Sequence, residues 1–222
     1  MELLSVNVGQ ARPVAYTNAP SGTTGIDKRP VTGPVRVDGP APGAASGVAG
    51  DAVCDLRFHG GPDRAVYAFA REDLDAWEAE LGRPITPGSF GENLTTRGLD
   101  VNNALIGERW RIGEEVVLEV TGGRIPCRTF AGFVEEDGWV RRFNDSTAGP
   151  GALLRVIVPG EIRAGDRMEI VHRPAHDITV ARLHHAATAD RSRLPETLVA
   201  AEWMESGLLG LARTYAEKYG AR

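Results

Sequence analysis

The sequence of 222 residues is poor in lysine and cysteine and has no long hydrophobic run. Its two lysines are Lys28 and Lys218, so a role that needs an internal amine depends on Lys28. Its two cysteines form neither a CxxC pair nor a zinc-type spacing, which argues against a disulfide scaffold or a zinc finger. Without a membrane-spanning run or a signal-peptide pattern, we expect a cytoplasmic protein with free thiols and no membrane partner.

The sequence also lacks an excess of positive charge. It has 25 basic and 30 acidic residues, which gives a formal net charge of −5. This balance offers no electrostatic reason to expect a nucleic-acid polymer as a partner. The length suits one large domain, or one domain with a small appendage.

Residues 1–172 have the pattern of a mainly β domain, because they are rich in glycine and proline with short apolar runs between turn signals. The strands are predicted at residues 3–8, 52–58, 65–69, 109–112, 116–121, 153–158 and 167–171. One inserted amphipathic helix is predicted over residues 72–81, ending at Gly82. Residues 33–50, rich in glycine, alanine and proline, predict a mobile loop in their middle.

Residues 173–222 have a different, helical character. Three short patterns at 179–187, 195–204 and 208–219 predict a small α-helical domain, with Thr179 or Asp177 capping its first helix. A helical unit of this size is marginal alone. We therefore expect it to pack on the β domain or on a second copy of the chain, which makes a homodimer one alternative.

The segment 123–128 (GRIPCR) carries the strongest chemical signal. Pro126 restricts the backbone before Cys127, so we expect the cysteine on an extended loop or strand end rather than inside a helix. The flanking Arg124 and Arg128 favour a thiolate, which is a soft metal ligand and a nucleophile. The same arginines suit a bound anion. An incidental cysteine in a surface loop is the alternative from this segment alone.

The motif HGGPDR at 59–64 suits a ligand-binding loop. His59 can supply a proton or a hydrogen bond, and the backbone at Gly60 and Gly61 can approach a ligand closely. A hairpin connection with a surface histidine explains the same residues. The motif therefore needs support from the rest of the chain.

Two further segments offer polar groups to a ligand. Glu92 and Asn93, in GSFGENL at 88–94, could recognise a heterocycle with amide-like edges. Lys28 and Arg29 could clamp a phosphate. Local turn bonding and solvated surface charge are the alternative explanations.

Other candidates have simpler interpretations. Asp51 follows Gly50 as a turn residue, and Cys54 lies in an apolar pattern that predicts a buried, inert thiol. His184 and His185 are adjacent on a helix and point to different faces, so we do not expect them to bind a metal.

The order of these motifs resembles the MOSC family, named after the C-terminal domain of molybdenum cofactor sulfurase. The matching segments are TGIDKRPV around Lys28, Gly50-Asp51, HGGPDRAV at 59–66, PGSFGENL at 87–94, and Arg124 with Pro126-Cys127. The resemblance is strongest to the YiiM-type bacterial branch. It covers essentially the whole chain, because that branch also has a small three-helix domain at its C-terminus.

The resemblance implies a β-barrel of the pyruvate-kinase barrel-domain type and a molybdopterin-type molybdenum cofactor. Cys127 matches the cysteine that donates its thiolate to the metal. The implied activity is reduction of small N-hydroxylated compounds, including hydroxylamino purine bases, to amines. Because the chain has no flavin, haem or iron–sulfur signature, an external redox protein would supply the electrons.

The resemblance also implies roles for the other candidates. Lys28 and Arg29 would bind the cofactor phosphate, while Arg124 and Arg128 would stabilise anionic parts of the site. The hydrogen bonds to pterin or substrate would come from His59, Glu92 and Asn93, one of which would relay protons.

Three other functions stay open from the sequence. The chain could carry sulfur as a persulfide on Cys127. It could instead bind a phosphorylated cofactor without turnover; pyridoxal phosphate is suggested for the family and would need Lys28. A cysteine hydrolase with His59 as base is the last alternative, although no third catalytic residue is evident.

Overall fold

The computed structural model describes residues 1–40 and 46–219, and within them the chain forms twelve strands and six α-helices. The strands are β1 (Glu2–Gly9), β2 (Arg12–Pro13), β3 (Thr23–Thr24), β4 (Lys28–Pro30), β5 (Val35–Val37), β6 (Val66–Ala70), β7 (Leu94–Arg97), β8 (Arg109–Ile112), β9 (Val116–Gly123), β10 (Ala152–Val158), β11 (Gly160–Ile162) and β12 (Met168–His172). The helices are α1 (Arg71–Leu81), α2 (Arg128–Val134), α3 (Trp139–Asp145), α4 (Val180–Thr188), α5 (Leu194–Thr197) and α6 (Ser206–Tyr219).

Eight strands form one mixed sheet in the order β12-β8-β9-β10-β6-β7-β1-β4. Only the pairing of β6 with β7 is parallel among these described strands, because α1 carries the chain back between them. The amide of Leu3 donates to the carbonyl of Asp166 at 2.9 Å, and the amide of Met168 donates to the carbonyl of Met1 at 3.0 Å. These bonds join the beginnings of β1 and β12. The mainly β class is confirmed, and the barrel description stays a prediction.

The main hydrophobic core covers one face of this sheet. Strand β9 contributes Val116, Leu118 and Val120, which are fully buried, as its nearly continuous apolar sequence predicts. The same apolar cluster includes Leu183 from α4 and Leu208 from α6. The C-terminal helices therefore pack on the sheet, while a domain boundary near residue 172 stays a prediction.

A second, aromatic cluster joins α1, α2 and α3. The ring centroids of Trp77 and Trp139 lie 4.7 Å apart, and those of Phe90 and Phe130 lie 5.4 Å apart. Phe143 stacks nearly parallel to Trp77. Burial of these large rings fixes α2 and α3, which have seven residues each and were not predicted from the sequence.

Two of the predicted helix signals are confirmed. Gly82 has a left-handed φ of 63°, and its amide donates to the carbonyl of Glu78, which ends α1. The hydroxyl of Thr179 accepts a hydrogen bond from the amide of Arg182 at 3.1 Å and so caps α4.

The predicted strand at 52–58 is wrong. The carboxylate of Asp55 accepts from the amide of Arg57 at 3.3 Å, and the carbonyl of Asp55 accepts from the amide of His59 at 3.0 Å. These local bonds form a turn, which displaces strand pairing.

The single helix predicted at 195–204 is also wrong. The chain there forms the four-residue α5 followed by a 3₁₀ turn at Leu198–Ala200. The hydroxyl of Thr197 donates to the carbonyl of Leu194 at 2.7 Å and competes with helical bonding.

Two further sequence predictions concern loops and membranes. The middle of the predicted loop at 33–50, residues 41–45, lies outside the described residues. Among the residues that are described, no helix combines the length and the apolar character that crossing a bilayer requires.

Candidate functional site

A cavity of about 140 Å³ lies where the β2–β3 hairpin meets the loops around residues 46–60, 91–93 and 124–129. Six of the residues predicted from the sequence line it. They are Lys28, His59, Gly60, Asn93, Arg124 and Cys127. The fold therefore brings together segments that are separated by up to about 100 positions in the sequence.

Cys127 lies at the start of α2, just outside the helix. Its backbone is extended, with φ −115° and ψ 170°, which agrees with the predicted position on an extended segment rather than inside a helix. Burial raises the pKa of the thiol, but a hydrogen bond with His59 and the positive charges of Arg124 and His59 outweigh it and lower the pKa of Cys127 to about 6. The group is therefore mostly a thiolate at neutral pH.

Arg124 is held beside Cys127 by aromatic rings. Its guanidinium carbon lies 4.1 Å from the ring centroid of Phe130 and 5.2 Å from that of Tyr67. It also donates a hydrogen bond to the carbonyl of Phe90. These contacts fix a positive charge in the cavity wall.

Lys28 supplies a second buried cation. Its side chain is 7% exposed and forms an ion pair with Asp51, whose side chain is 1% exposed. Burial lowers the pKa of Lys28, the Asp51 carboxylate opposes this effect, and the charge of Arg124 adds to it. The net result is an ammonium with a pKa below its ordinary value.

The amide of Asn93 has a fixed orientation beside this ion pair. Its nitrogen donates to the carboxylate of Asp51 at 3.0 Å and to the carbonyl of Asn7 at 3.3 Å. Its oxygen accepts from the amide of Tyr67 at 3.2 Å. Both ends of the side chain are therefore used.

The HGGPDR loop is tied to the C-terminal helices. Arg64 forms an ion pair of 2.8 Å with the buried Glu205, which in turn accepts from amides at the start of α6. Asp63 pairs with Arg155 at 2.9 Å and accepts from the amide of Ser206 at 3.2 Å. The helical tail thus supports one wall of the cavity.

Four predicted site residues do not line the cavity. Arg29 points away from it because neighbouring residues on a strand face opposite sides; its side chain is 65% exposed and pairs with Asp27. Glu92 is buried within its own loop, where it accepts from the amides of Gly88 at 2.6 Å and Phe90 at 3.0 Å. Its burial raises its pKa.

Gly61 and Arg128 are the other two predicted residues that do not line the cavity. Gly61, with φ of 84°, begins the 3₁₀ turn at Pro62–Arg64 and serves the turn rather than the cavity. Arg128 is exposed on the first turn of α2. Arg124 alone of the two flanking arginines is therefore positioned to act on the cavity.

Sequence reasoning missed several cavity residues with charged or reactive side chains, among them Cys54, Asp51, Asp55 and Arg64. Cys54 is half-buried and lines the cavity, so the prediction of a buried, inert thiol is wrong; the loop at 51–56 is not a paired strand and leaves it accessible. Asp51 and Arg64 also line the cavity. Their positions within the Gly50-Asp51 and HGGPDR motifs were the available signals.

The donor set of the cavity suits a cofactor that brings its own metal ligands. Within the described residues, no group of three or more His, Cys, Asp or Glu side chains is arranged to hold a metal ion by itself. The cavity does offer one soft thiolate, a buried ammonium, a half-buried guanidinium and an oriented amide. These groups fit a metal held by a sulfur-rich organic ligand with an anionic tail.

The chain belongs to the MOSC family, because residues 55–169, just over half of it, match the MOSC domain. It is 33% identical to YflK of Bacillus subtilis (strain 168) over 178 residues, which cover 80% of this chain and 76% of YflK. It is also 33% identical to YiiM of Escherichia coli (strain K12) over 150 residues, 66% of this chain and 65% of YiiM.

A fungal protein named Reductase, from Gibberella moniliformis (strain M3125 / FGSC 7600), is 33% identical over 144 residues. The match covers 62% of this chain but only 25% of that protein. Among solved structures, YiiM from Geobacillus stearothermophilus matches with a TM-score of 0.76 at 24% identity, covering 96% of this chain and 98% of that one. The YiiM-type MOSC fold is thereby confirmed.

Proposed function

We propose that this protein binds a molybdopterin-type molybdenum cofactor and reduces N-hydroxylated compounds to amines. The observation that carries the proposal is the Cys127 thiolate in a cavity that also contains Lys28 and Arg124. Membership of the MOSC family supports a role related to the molybdenum cofactor, and the fungal relative named Reductase supports redox chemistry.

Cys127 is the residue that would hold the metal. A thiolate is a soft ligand, and the low pKa means that no proton has to be displaced at neutral pH. When bound, the cofactor supplies a redox centre that can exchange two electrons and an oxygen atom with the substrate. Cys54 lines the same cavity, but it lacks the flanking arginine and proline of the GRIPCR segment.

Lys28 and Arg124 would bind the anionic part of the cofactor. Lys28 has further ammonium N–H groups beyond the one directed to Asp51, and Arg124 is held by Phe130 and Tyr67. Both N–H groups of the Asn93 amide are donated to Asp51 and Asn7, so it would contribute its oxygen, which accepts once from Tyr67 and can accept once more. Together these groups recognise a negatively charged group next to a polar heterocycle.

His59 is placed to move protons. Reduction of a hydroxylamine consumes two electrons and two protons and releases water and an amine. His59 lines the cavity and lies near enough to Cys127 to lower the pKa of its thiol, so a proton on its imidazole would lie close to the proposed metal ligand. Electrons would come from an external redox protein, and the substrate would be a small molecule that fits beside His59.

A reductase assay tests this proposal. Protein expressed in a host that makes the cofactor is supplied with reduced viologen dye and N6-hydroxylaminopurine, and adenine is measured. We expect turnover by the wild type and by Cys54→Ser, and a loss of at least about 100-fold in Cys127→Ser, because the metal ligand is gone. Equal activity of Cys127→Ser and wild type would contradict the proposal.

Sulfur transport is a second candidate, favoured by the same low thiol pKa. A thiolate that attacks a sulfane donor becomes a persulfide, which could be delivered to a metal centre. Cyanolysis distinguishes the two functions. Sulfur released by cyanide from wild type and not from Cys127→Ser, in protein without molybdenum, would favour the carrier.

A further inference from the structure

We infer that Asp51 is a positioning residue for anion binding: it holds the Lys28 ammonium and the Asn93 amide in the cavity wall before a ligand arrives. The inference rests on the proposed function for the identity of the anion, the phosphate of the cofactor. It adds to that function, which gives Asp51 no role of its own.

The hydrogen bonds of Asp51 go beyond those of a turn residue. One carboxylate oxygen accepts from the amide of Gly9 at 2.8 Å and from Lys28, and the other accepts from the side-chain nitrogen of Asn93 at 3.0 Å. The side chain is 1% exposed. A buried carboxylate with three donors from three separate segments is a structural hub.

The backbone segments around Asp51 are packed closely against one another. A Cβ added to Gly9 would lie 1.9 Å from the carbonyl oxygen of Gly25, and one added to Gly25 would lie 2.1 Å from that of Ala52. The three segments that carry Gly9, Gly25 and Ala52 are therefore in direct backbone contact. Asp51 lies next to Ala52, and its carboxylate accepts hydrogen bonds from Gly9 and Lys28 on the other two segments.

Asp51 is the main counter-charge of Lys28. The charged groups that act on Lys28 are Asp51, Arg124 and Glu92. Arg124 repels the ammonium, and the Glu92 carboxylate is already used by two backbone amides and the hydroxyl of Thr95. Without Asp51, burial and Arg124 would both favour loss of the Lys28 proton.

Asp51 also helps to hold the Asn93 amide in its orientation. The nitrogen of Asn93 is directed to acceptors on Asp51 and Asn7, so its oxygen points to the amide of Tyr67. Replacing the carboxylate by an amide would remove one of the two acceptors that the Asn93 nitrogen faces, while the Asn7 carbonyl and the Tyr67 amide still favour the same orientation. One residue thus sets the charge of Lys28 and strengthens the hold on Asn93.

The low lysine content permits a direct measurement. In a Lys218→Arg background, Lys28 is the only lysine, so uniformly labelled ¹³C,¹⁵N-lysine gives one Cε resonance by NMR. Its titration midpoint is recorded for the purified full chain and for Asp51→Asn. Asp55→Asn is the matched control, because Asp55 also lines the cavity but pairs with Arg57 at 2.8 Å.

We expect Asp51→Asn to lower the Lys28 midpoint by about one pH unit or more, and Asp55→Asn to leave it unchanged. Sulfate, which does not titrate in this range, is the anion probe. Between the two midpoints, sulfate should shift the Lys28 resonance in the wild type and lose that effect in Asp51→Asn. Below both midpoints Lys28 is charged in either protein, so a sulfate effect that stays weaker in Asp51→Asn there measures the loss of positioning rather than of charge.

An unchanged Lys28 midpoint in Asp51→Asn, or an equal shift in Asp55→Asn, would overturn the inference. If Asp51→Asn does not fold, Asp51→Glu replaces it. That variant keeps the charge but moves it by one methylene, so the Lys28 midpoint should stay near the wild-type value while sulfate binding weakens; undiminished sulfate binding would overturn the inference. Neither experiment involves molybdenum or turnover, so their outcome is separable from that of the proposed function.

Discussion

The ionisation of Cys127 gives the most detailed prediction. Its pKa falls from an ordinary 9.0 to about 6. At pH 7 a thiol with a pKa near 6 is about 90% thiolate, whereas one with a pKa near 9 is about 1% thiolate. Because a thiolate of lower pKa is a weaker nucleophile, alkylation at pH 7 should be faster by only about 3- to 6-fold. The midpoint of the pH–rate profile is therefore a sharper measure than the rate itself.

The assay is alkylation by iodoacetamide between pH 4.5 and 9.5 in a Cys54→Ser background, followed by mass spectrometry. We expect a midpoint near pH 6. His59→Phe should raise it by at least about 2 units, because both a hydrogen bond and a charge are lost while burial persists. Arg124→Met should raise it by about 1 unit, since one charge is lost.

Arg29→Met is the matched control, because Arg29 is exposed outside the cavity and should leave the midpoint unchanged. A wild-type midpoint near 9, or the same midpoint in wild type and His59→Phe, would refute the reasoning. The first result would mean that burial dominates at Cys127. The second would mean that His59 does not contact the thiol in solution.

Three further predictions concern stability. His184 is buried, and neither of its ring nitrogens has a hydrogen-bond partner among the described residues. Burial lowers its pKa from 6.5 to about 4, so the stability of the fold falls as pH drops from 6.5 towards 4. Urea unfolding of wild type and His184→Leu at pH 4.5 and 7.5 measures this effect. The free energy of unfolding should fall by about 2–3 kcal/mol less in His184→Leu than in wild type between these pH values, and an equal fall in both proteins would contradict the prediction. Burial raises the pKa of Asp73 to about 7, so its charge destabilises the fold as pH rises from 4 to 7. The melting temperature of Asp73→Asn relative to wild type should be higher at pH 8 than at pH 4 by about 7 °C or more, and no difference would count against it. Gly25→Ala would place its Cβ 2.1 Å from the carbonyl oxygen of Ala52 and should cost about 1–3 kcal/mol in chemical unfolding. Gly210→Ala, in α6 with nothing within 4 Å, should be neutral or stabilising.

The chemistry of Cys127 could be predicted from sequence only in part, because one cause of its low pKa, Arg124, is local and another, His59, is distant. Arg124 is three residues away, and its charge lowers the pKa of Cys127. The role of His59 could be predicted only as a possibility. Its contact with Cys127 depends on bringing together two loops that are 68 positions apart by residue number (127 − 59), which no local pattern encodes.

The candidate cations show where neighbouring residues separate. Lys28 and Arg29 have similar chemistry, yet strand alternation sends one into the cavity and the other into solvent. Predicting which one turns inward requires the register of β4 against β1. Glu92 and Asn93 separate for another reason: Glu92 accepts hydrogen bonds from amides of its own loop, and Asn93 alone reaches the cavity.

The errors in the fold have a common physical origin. The apolar residues within 52–58 predict a strand. Hydrogen bonds to the carboxylate and the carbonyl of Asp55 form a turn there instead. Helices α2 and α3 are too short to show a periodic signal and depend on aromatic packing between Phe130, Trp139 and Phe143. By contrast, α1 has its own stripe and its own C-terminal glycine, so it could be predicted.

The metal content of the purified protein tests the central claim most directly. Wild type, Cys127→Ser and Cys54→Ser are expressed in the same cofactor-producing host, and molybdenum is measured per chain by mass spectrometry. We predict about one molybdenum atom per chain in wild type and Cys54→Ser, and a loss of most of it in Cys127→Ser. Equal molybdenum in wild type and Cys127→Ser, or none in any of the three proteins, would contradict the account.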